Sequence, residues 1–103
     1  MKNQLTQGLK RRLMYIENKN GTIFGSNARI GWVTFSKTGR TVYYAVKNFL
    51  LAKGISGNHI DEESGEEYWI SGVKKRGSNV HYAESASVLV DEDAREAYAE
   101  WRA

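Results

Sequence analysis

The stretch that decides the fold is Ala28-Arg29-Ile30-Gly31-Trp32-Val33-Thr34-Phe35-Ser36-Lys37-Thr38-Gly39-Arg40-Thr41-Val42-Tyr43-Tyr44. Two runs rich in β-branched and aromatic residues flank a short polar segment. Gly39 stands where a tight connection needs a residue that tolerates positive φ. The pattern predicts a β-hairpin, and because both faces of its arms carry apolar groups, the hairpin belongs in the middle of the fold.

The same grammar extends downstream. Residues 58–62 and 66–71 form two arms about the turn Glu63-Ser64-Gly65, and residues 69–75 lead through Arg76-Gly77-Ser78-Asn79 into a returning arm at residues 80–84. The three hairpins make a meander. Between the first and second, Val46, Phe49, Leu50 and Lys53 recur at three- and four-residue spacing before Gly54 and Gly57 intervene, which predicts a loop or a single helical turn. Upstream, residues 12–18 read as a buried strand, and residues 19–27 as a mobile loop carrying Ile23 and Phe24 between two Asn/Gly turn signals.

At the other end, Ser87-Val88-Leu89-Val90 supplies one more strand, and Asp91 is placed to cap a helix over residues 92–102. Ala94, Ala97, Tyr98 and Trp101 fall on one stripe of that helix, which makes it an amphipathic lid whose two aromatic side chains are expected to be buried. Gly31, Gly57 and Gly72 lie in or beside strand patterns, where a missing side chain permits bending. The expected architecture is mainly β with one C-terminal helix: a strongly bent antiparallel meander or a small SH3-like barrel. Residues 1–10 are expected to be a flexible lead-in, and residues 11–103 a single domain.

Composition narrows the function. The chain has 103 residues, no cysteine and no proline, which excludes a disulfide framework, a thiolate metal site and a cysteine nucleophile. No apolar run has the length of a membrane span and the first ten residues are too polar for a signal peptide, so a cytoplasmic location without membrane association is expected. The formal net charge of +3 is unevenly placed: Lys10, Arg11 and Arg12 form one basic block, Lys74, Lys75 and Arg76 another, and residues 61–67 and 91–100 are acidic.

The segments Arg12-Leu13-Met14-Tyr15-Ile16-Glu17, Arg29-Ile30-Gly31-Trp32-Val33-Thr34-Phe35-Ser36-Lys37 and Gly65-Glu66-Glu67-Tyr68-Trp69-Ile70-Ser71-Gly72-Val73-Lys74-Lys75 resemble a family of small bacterial proteins with no established activity. The resemblance covers roughly residues 11–98. It implies a bacterial, cytoplasmic source and transfers no site residue.

The constellation with the most chemical content is the third hairpin, where Tyr68, His81 and Tyr82 lie on arms around the cations Lys74, Lys75 and Arg76. Aromatic faces stack on bases while lysine and arginine hold phosphates. Lys37, Arg40 and Lys47 extend that positive surface if the first hairpin lies beside the third, and residues 10–12 add to it from the N-terminus. The histidines His59 and His81, with Asp61 and Glu84 nearby in sequence, lack any metalloenzyme motif, and residues 61–67 lack the ligand frame of a calcium loop. The expectation is therefore a non-enzymatic binding domain with no cofactor and no metal. Its partner-binding residues are Tyr68, Lys74, Lys75, Arg76, His81, Tyr82 and Arg40. A bacterial protein partner, in an inhibitor or immunity-like role, is ranked first because the charge is two-signed; the alternative is RNA or single-strand binding through the Lys74 to Arg76 hairpin.

Overall fold

The computed structural model describes residues 10–76 and 87–103. Its strands are β1 (Arg11–Asn18), β2 (Ala28–Phe35), β3 (Thr41–Tyr44), β4 (Lys47–Leu51), β5 (His59–Asp61), β6 (Glu67–Gly72) and β7 (Val88–Val90). A 3-10 turn at Glu92–Ala94 then leads into helix α1 (Arg95–Arg102). The strands follow the order β1-β6-β5-β4-β3-β2-β7, and β1 also pairs with β2, so the first six close on themselves in an antiparallel barrel. Closure leaves the barrel with no long open edge.

Period-two alternation sorts the side chains. Met14, Ile16, Val33, Val42, Tyr44, Phe49, Tyr68 and Ile70 fill the interior, with the rings of Phe49 and Tyr68 packed at 4.5 Å and 46°. Burying each of the larger ones contributes roughly 1.5–3 kcal/mol. On the outer surface of β1 and β2, Tyr15, Ala28 and Ile30 form a second apolar cluster, flanked by Leu13, Trp69, Val73, Val88, Val90 and Tyr98.

Gly31 is the point at which β2 changes neighbours. Along one edge β2 pairs antiparallel with β3 through Thr34 and Phe35, and parallel with β7 through Ala28, Arg29 and Ile30. The two neighbours diverge at Gly31, and the Asp91 carboxylate enters the opening. It accepts hydrogen bonds from Arg29 Nε at 2.7 Å and Tyr44 Oη at 2.5 Å, while Asp91 N donates to the carbonyl of Ile30. A Cβ at position 31 would run into that carboxylate and the Tyr44 ring. Gly57 serves a comparable end at β6, where a Cβ would meet the Tyr68 carbonyl. Beside it, Asn58 takes the place of a strand residue: its side-chain amide receives the N–H of Ile70 and donates to the carbonyl of the same residue.

Four local expectations are corrected. Residues 47–51 form a strand and not a loop or turn, because a two-residue connection, Ala45-Val46, reverses the chain with Ala45 at φ 52° and none of the usual Asn-Gly chemistry. Residues 19–27 are not an open loop: Ile23 is buried and forms a bridge with Ser26, and Phe24 and Gly25 turn the chain at positive φ. Asp91 does not cap the helix through its side chain, because Arg29 and Tyr44 hold it; regular helix begins at Arg95. The stripe on α1 is only partly buried, with Trp101 47% exposed, so Asp91 and Ala94 anchor the C-terminal segment more firmly than the helix aromatics do. The returning arm at residues 80–84 lies outside the described residues; over Tyr68 to Gly72, one flank of β6 is occupied by β1.

Gly31→Ala is expected to cost about 1–3 kcal/mol in chemical denaturation, the usual cost of overpacking a tight interior. In an Asp91→Ala background the same substitution should cost measurably less, since half of the obstruction is gone, giving a coupling of about 0.5–3 kcal/mol in the double-mutant cycle. Additive costs would show that Gly31 and Asp91 are not in contact.

Candidate functional site

Strand direction decides where the charges go. In an antiparallel barrel each end collects the starts of alternate strands and the finishes of the others. Arg11 lies opposite Thr34, Ser36 N donates to Thr41 O, Leu51 N to Arg40 O, and Met14 lies opposite Gly72. One end therefore gathers Lys10 before β1 and Arg11 and Arg12 at its start, Lys37 and Arg40 from the β2–β3 turn, Lys53 beyond β4, and Lys74, Lys75 and Arg76 beyond β6. All are exposed. The carboxylates that approach them come from the segment after β7, where Asp93 accepts from Trp32 Nε1 through its carbonyl and Glu92 precedes it, beside the ring over which Arg11 lies. Among the described residues, none of Arg12, Lys37, Arg40, Lys53 and Arg76 forms an ion pair.

The opposite end is acidic. Here Asp61 N donates to Glu66 O across the β5–β6 turn and Lys19 N donates to Glu67 O, which brings together Glu17, Asp61, Glu62, Glu63, Glu66 and Glu67. The cations at this end are each neutralised: Lys19 by Glu17 at 2.7 Å, Arg29 by Asp91 at 2.7 Å and Lys47 by Asp61 at 2.9 Å. Asn18 ties this end together, donating to the carbonyl of Thr22 and to Tyr68 Oη and accepting from Asn20 N. Burial, with the nearby carboxylates of Glu66 and Asp61, pushes the Tyr68 hydroxyl up to about 12.

Arg40, Lys74, Lys75 and Arg76 come together at the basic end. Tyr68 does not: it is 1% exposed, inside the barrel, and offers no surface to a partner. His81 and Tyr82 lie outside the described residues. Lys47, expected to extend the positive surface, belongs to the acidic end because the Ala45-Val46 turn reverses the chain before it. His59 is buried beside Asn58, whose Oδ1 lies 2.8 Å from Nδ1, and no group of three potential metal ligands is found among the described residues.

Sequence reading missed the aromatic component of the basic end. The Arg11 guanidinium lies 4.2 Å above the Trp32 ring, Lys75 Nζ 5.6 Å from the Trp101 centroid, and Arg102 5.5 Å from that of Tyr98. Both indoles are fixed by their N–H groups, Trp32 to Asp93 O at 3.0 Å and Trp101 to Val73 O at 3.1 Å. Cations at this separation are held by the ring quadrupole. Helix α1 carries Tyr98 and Trp101, and its own charges, Arg95 and Arg102 against Glu96 and Glu100, balance. Glu92 and Asp93 of the preceding turn border the Trp32 side. The arrangement is chemically suited to holding an anion in place, with planar groups beside it.

The pH dependence of stability carries a signature of His59. Burial lowers its pKa below the ordinary 6.5, so below that value the unfolded chain takes up a proton that the folded chain refuses, and stability falls. Burial alone would raise Asp61, but its bonds from Lys47 and Glu63 N outweigh burial and lower it, so its contribution disappears only as pH drops below the ordinary 3.8. Replacing His59 with asparagine, which keeps a donor for Asn58 Oδ1, is expected to flatten the loss of stability between about pH 7 and pH 5, by at most about 1.4 kcal/mol per pH unit. An unchanged slope would mean that His59 is protonated as readily folded as unfolded. No protein-family model, no curated protein and no solved structure matches the chain.

Proposed function

We propose that this domain is a non-enzymatic binding module that holds a nucleic acid at its basic end. The observation that carries the reading is the segregation of charge by barrel topology. Among the described residues, cations from four separate chain segments converge at one end, where Arg12, Lys37, Arg40, Lys53 and Arg76 form no ion pair and Glu92, Asp93 and the α1 carboxylates lie along one border, while Lys19, Arg29 and Lys47 at the other end are each ion-paired. Solvated cations gathered on one face raise the local concentration of a polyanion and release its counterions on binding. This favours the nucleic-acid alternative over the protein partner that the overall two-signed charge suggests. Within the barrel itself the two signs are separated between the ends, and the carboxylates of the C-terminal segment border the basic one on one side.

Converting Arg12, Lys37 and Arg40 together to alanine is expected to weaken binding of an oligonucleotide at least tenfold at low salt. It should also reduce the slope of log K against log salt by about 0.7 for each single-strand phosphate that is no longer neutralised. Neutralising Glu62 and Glu63 at the other end should leave both quantities nearly unchanged. Fluorescence anisotropy at several salt concentrations reads both. Equal binding by the triple variant and the wild type, or no binding by either, contradicts the proposal.

A further inference from the structure

Resting on that reading, we infer that the preferred ligand is single-stranded and that its bases stack on two platforms: the Arg11 guanidinium over Trp32, and the Trp101 ring of α1. Three observations support this choice over a duplex or a featureless polyanion.

The first is that the platforms are flat, exposed and fixed. Arg11 is exposed with its guanidinium carbon 4.2 Å from the Trp32 ring centroid, and bases stack on arginine planes as they do on aromatic rings. Trp101 is 47% exposed although it is one of the largest side chains in the domain, and its bond to Val73 O holds the indole at the surface. An exposed indole held in one orientation loses little entropy when a base settles on it.

The second is spacing. Trp32 lies opposite Leu13 on β1, and Met14 lies opposite Gly72 on β6, so Trp32, Leu13 and Val73 stand in one row across three strands. Two strand spacings, about 10 Å, separate the backbone of Trp32 from that of Val73, whose carbonyl holds Trp101, so both platforms are within reach of a short unpaired strand. A stacked duplex presents its bases edge-on inside the helix and has no free face for either platform.

The third is that cations accompany the platforms. Lys75 lies over Trp101 and Arg76 follows it in the exposed segment beyond β6. A base arriving on Trp101 replaces Lys75 over the ring, and the ammonium, on its flexible stem, turns to the neighbouring phosphate. The carboxylates of Glu92, Asp93, Glu96 and Glu100 border the same region on the side of the helix, which disfavours a wide, uniformly charged ligand and leaves a track along the strand ends.

The test compares four probes on the full chain: a short deoxythymidine oligomer, an abasic oligomer of the same length, a duplex of the same length, and heparin. The base-bearing single strand is expected to bind about tenfold or more tighter than its abasic counterpart, with quenching of tryptophan fluorescence. Trp101→Ala should remove most of that difference, and Trp101→Phe, which keeps an aromatic face but loses the bond to Val73 O, should retain part of it. Arg11→Lys, which keeps the charge and removes the plane, should also narrow the difference between the base-bearing and abasic strands. Unchanged circular dichroism and melting of each variant would separate these effects from unfolding. Equal affinity for all four probes, abolished by the Arg12, Lys37 and Arg40 triple substitution, overturns the stacking inference and leaves the polyanion reading standing. Failure of every probe to bind overturns both, as does preferential binding of an acidic protein at the same residues.

Discussion

Strand β1 is hydrogen-bonded along both edges, to β2 over seven residue pairs and to β6 over five, and the rest of the structure depends on that double pairing. It turns a meander into a barrel. Because β2 and β6 run in the same direction on either side of β1, their C-terminal ends meet its N-terminal end. The basic residues that precede β1, follow β6 and occupy the β2–β3 turn thus arrive together, although the chain separates them widely. Unpaired, these strands would scatter the same cations over an open sheet, and the charge separation between the two ends would be lost.

The C-terminal segment is added to the barrel by a different device. Strand β7 is short and parallel, a weaker pairing than the antiparallel ladders around it. Its hold on β2 is reinforced by Asp91, which enters where β3 and β7 part and is satisfied by Arg29 and Tyr44. The carboxylate is partly buried, so its two donors matter more than they would at the surface. This anchor sets where α1 begins its path across β1, and the position of α1 in turn fixes Trp101 against Val73. The aromatic groups beside the charged end thus depend on Gly31, where a Cβ would meet the Asp91 carboxylate and the Tyr44 ring.

Much of the barrel was legible because its strands announce themselves locally. The β2–β3 and β5–β6 hairpins combine alternating apolar residues with Gly39 and Gly65, both at positive φ. Strand β4 was not legible, since Ala45 takes a positive φ that its residue type does not advertise, and three- and four-residue spacing in so short a stretch imitates a helix. The basic members of the site were readable as blocks of charge. Their convergence was not, because it depends on strand order. Tyr68 shows the limit of alternation: its neighbour Trp69 is equally aromatic, and only the register with β1 and β5 decides that Tyr68 points inward. Arg29 and Asp91 meet across sixty-two residues, and no local pattern distinguishes that role for Asp91 from a helix cap.

The central claim is that topology makes one end of this barrel a surface for anionic strands. Titrating the isotope-labelled chain with a short single-stranded oligonucleotide and following every backbone amide by NMR tests it most directly. The account predicts shifts concentrated at residues 10–13, 37–40 and 73–76 and at the indole N–H groups of Trp32 and Trp101, with little change at residues 18–22, 44–48 and 61–67. Shifts centred on the acidic end, or spread evenly over the barrel, would contradict it.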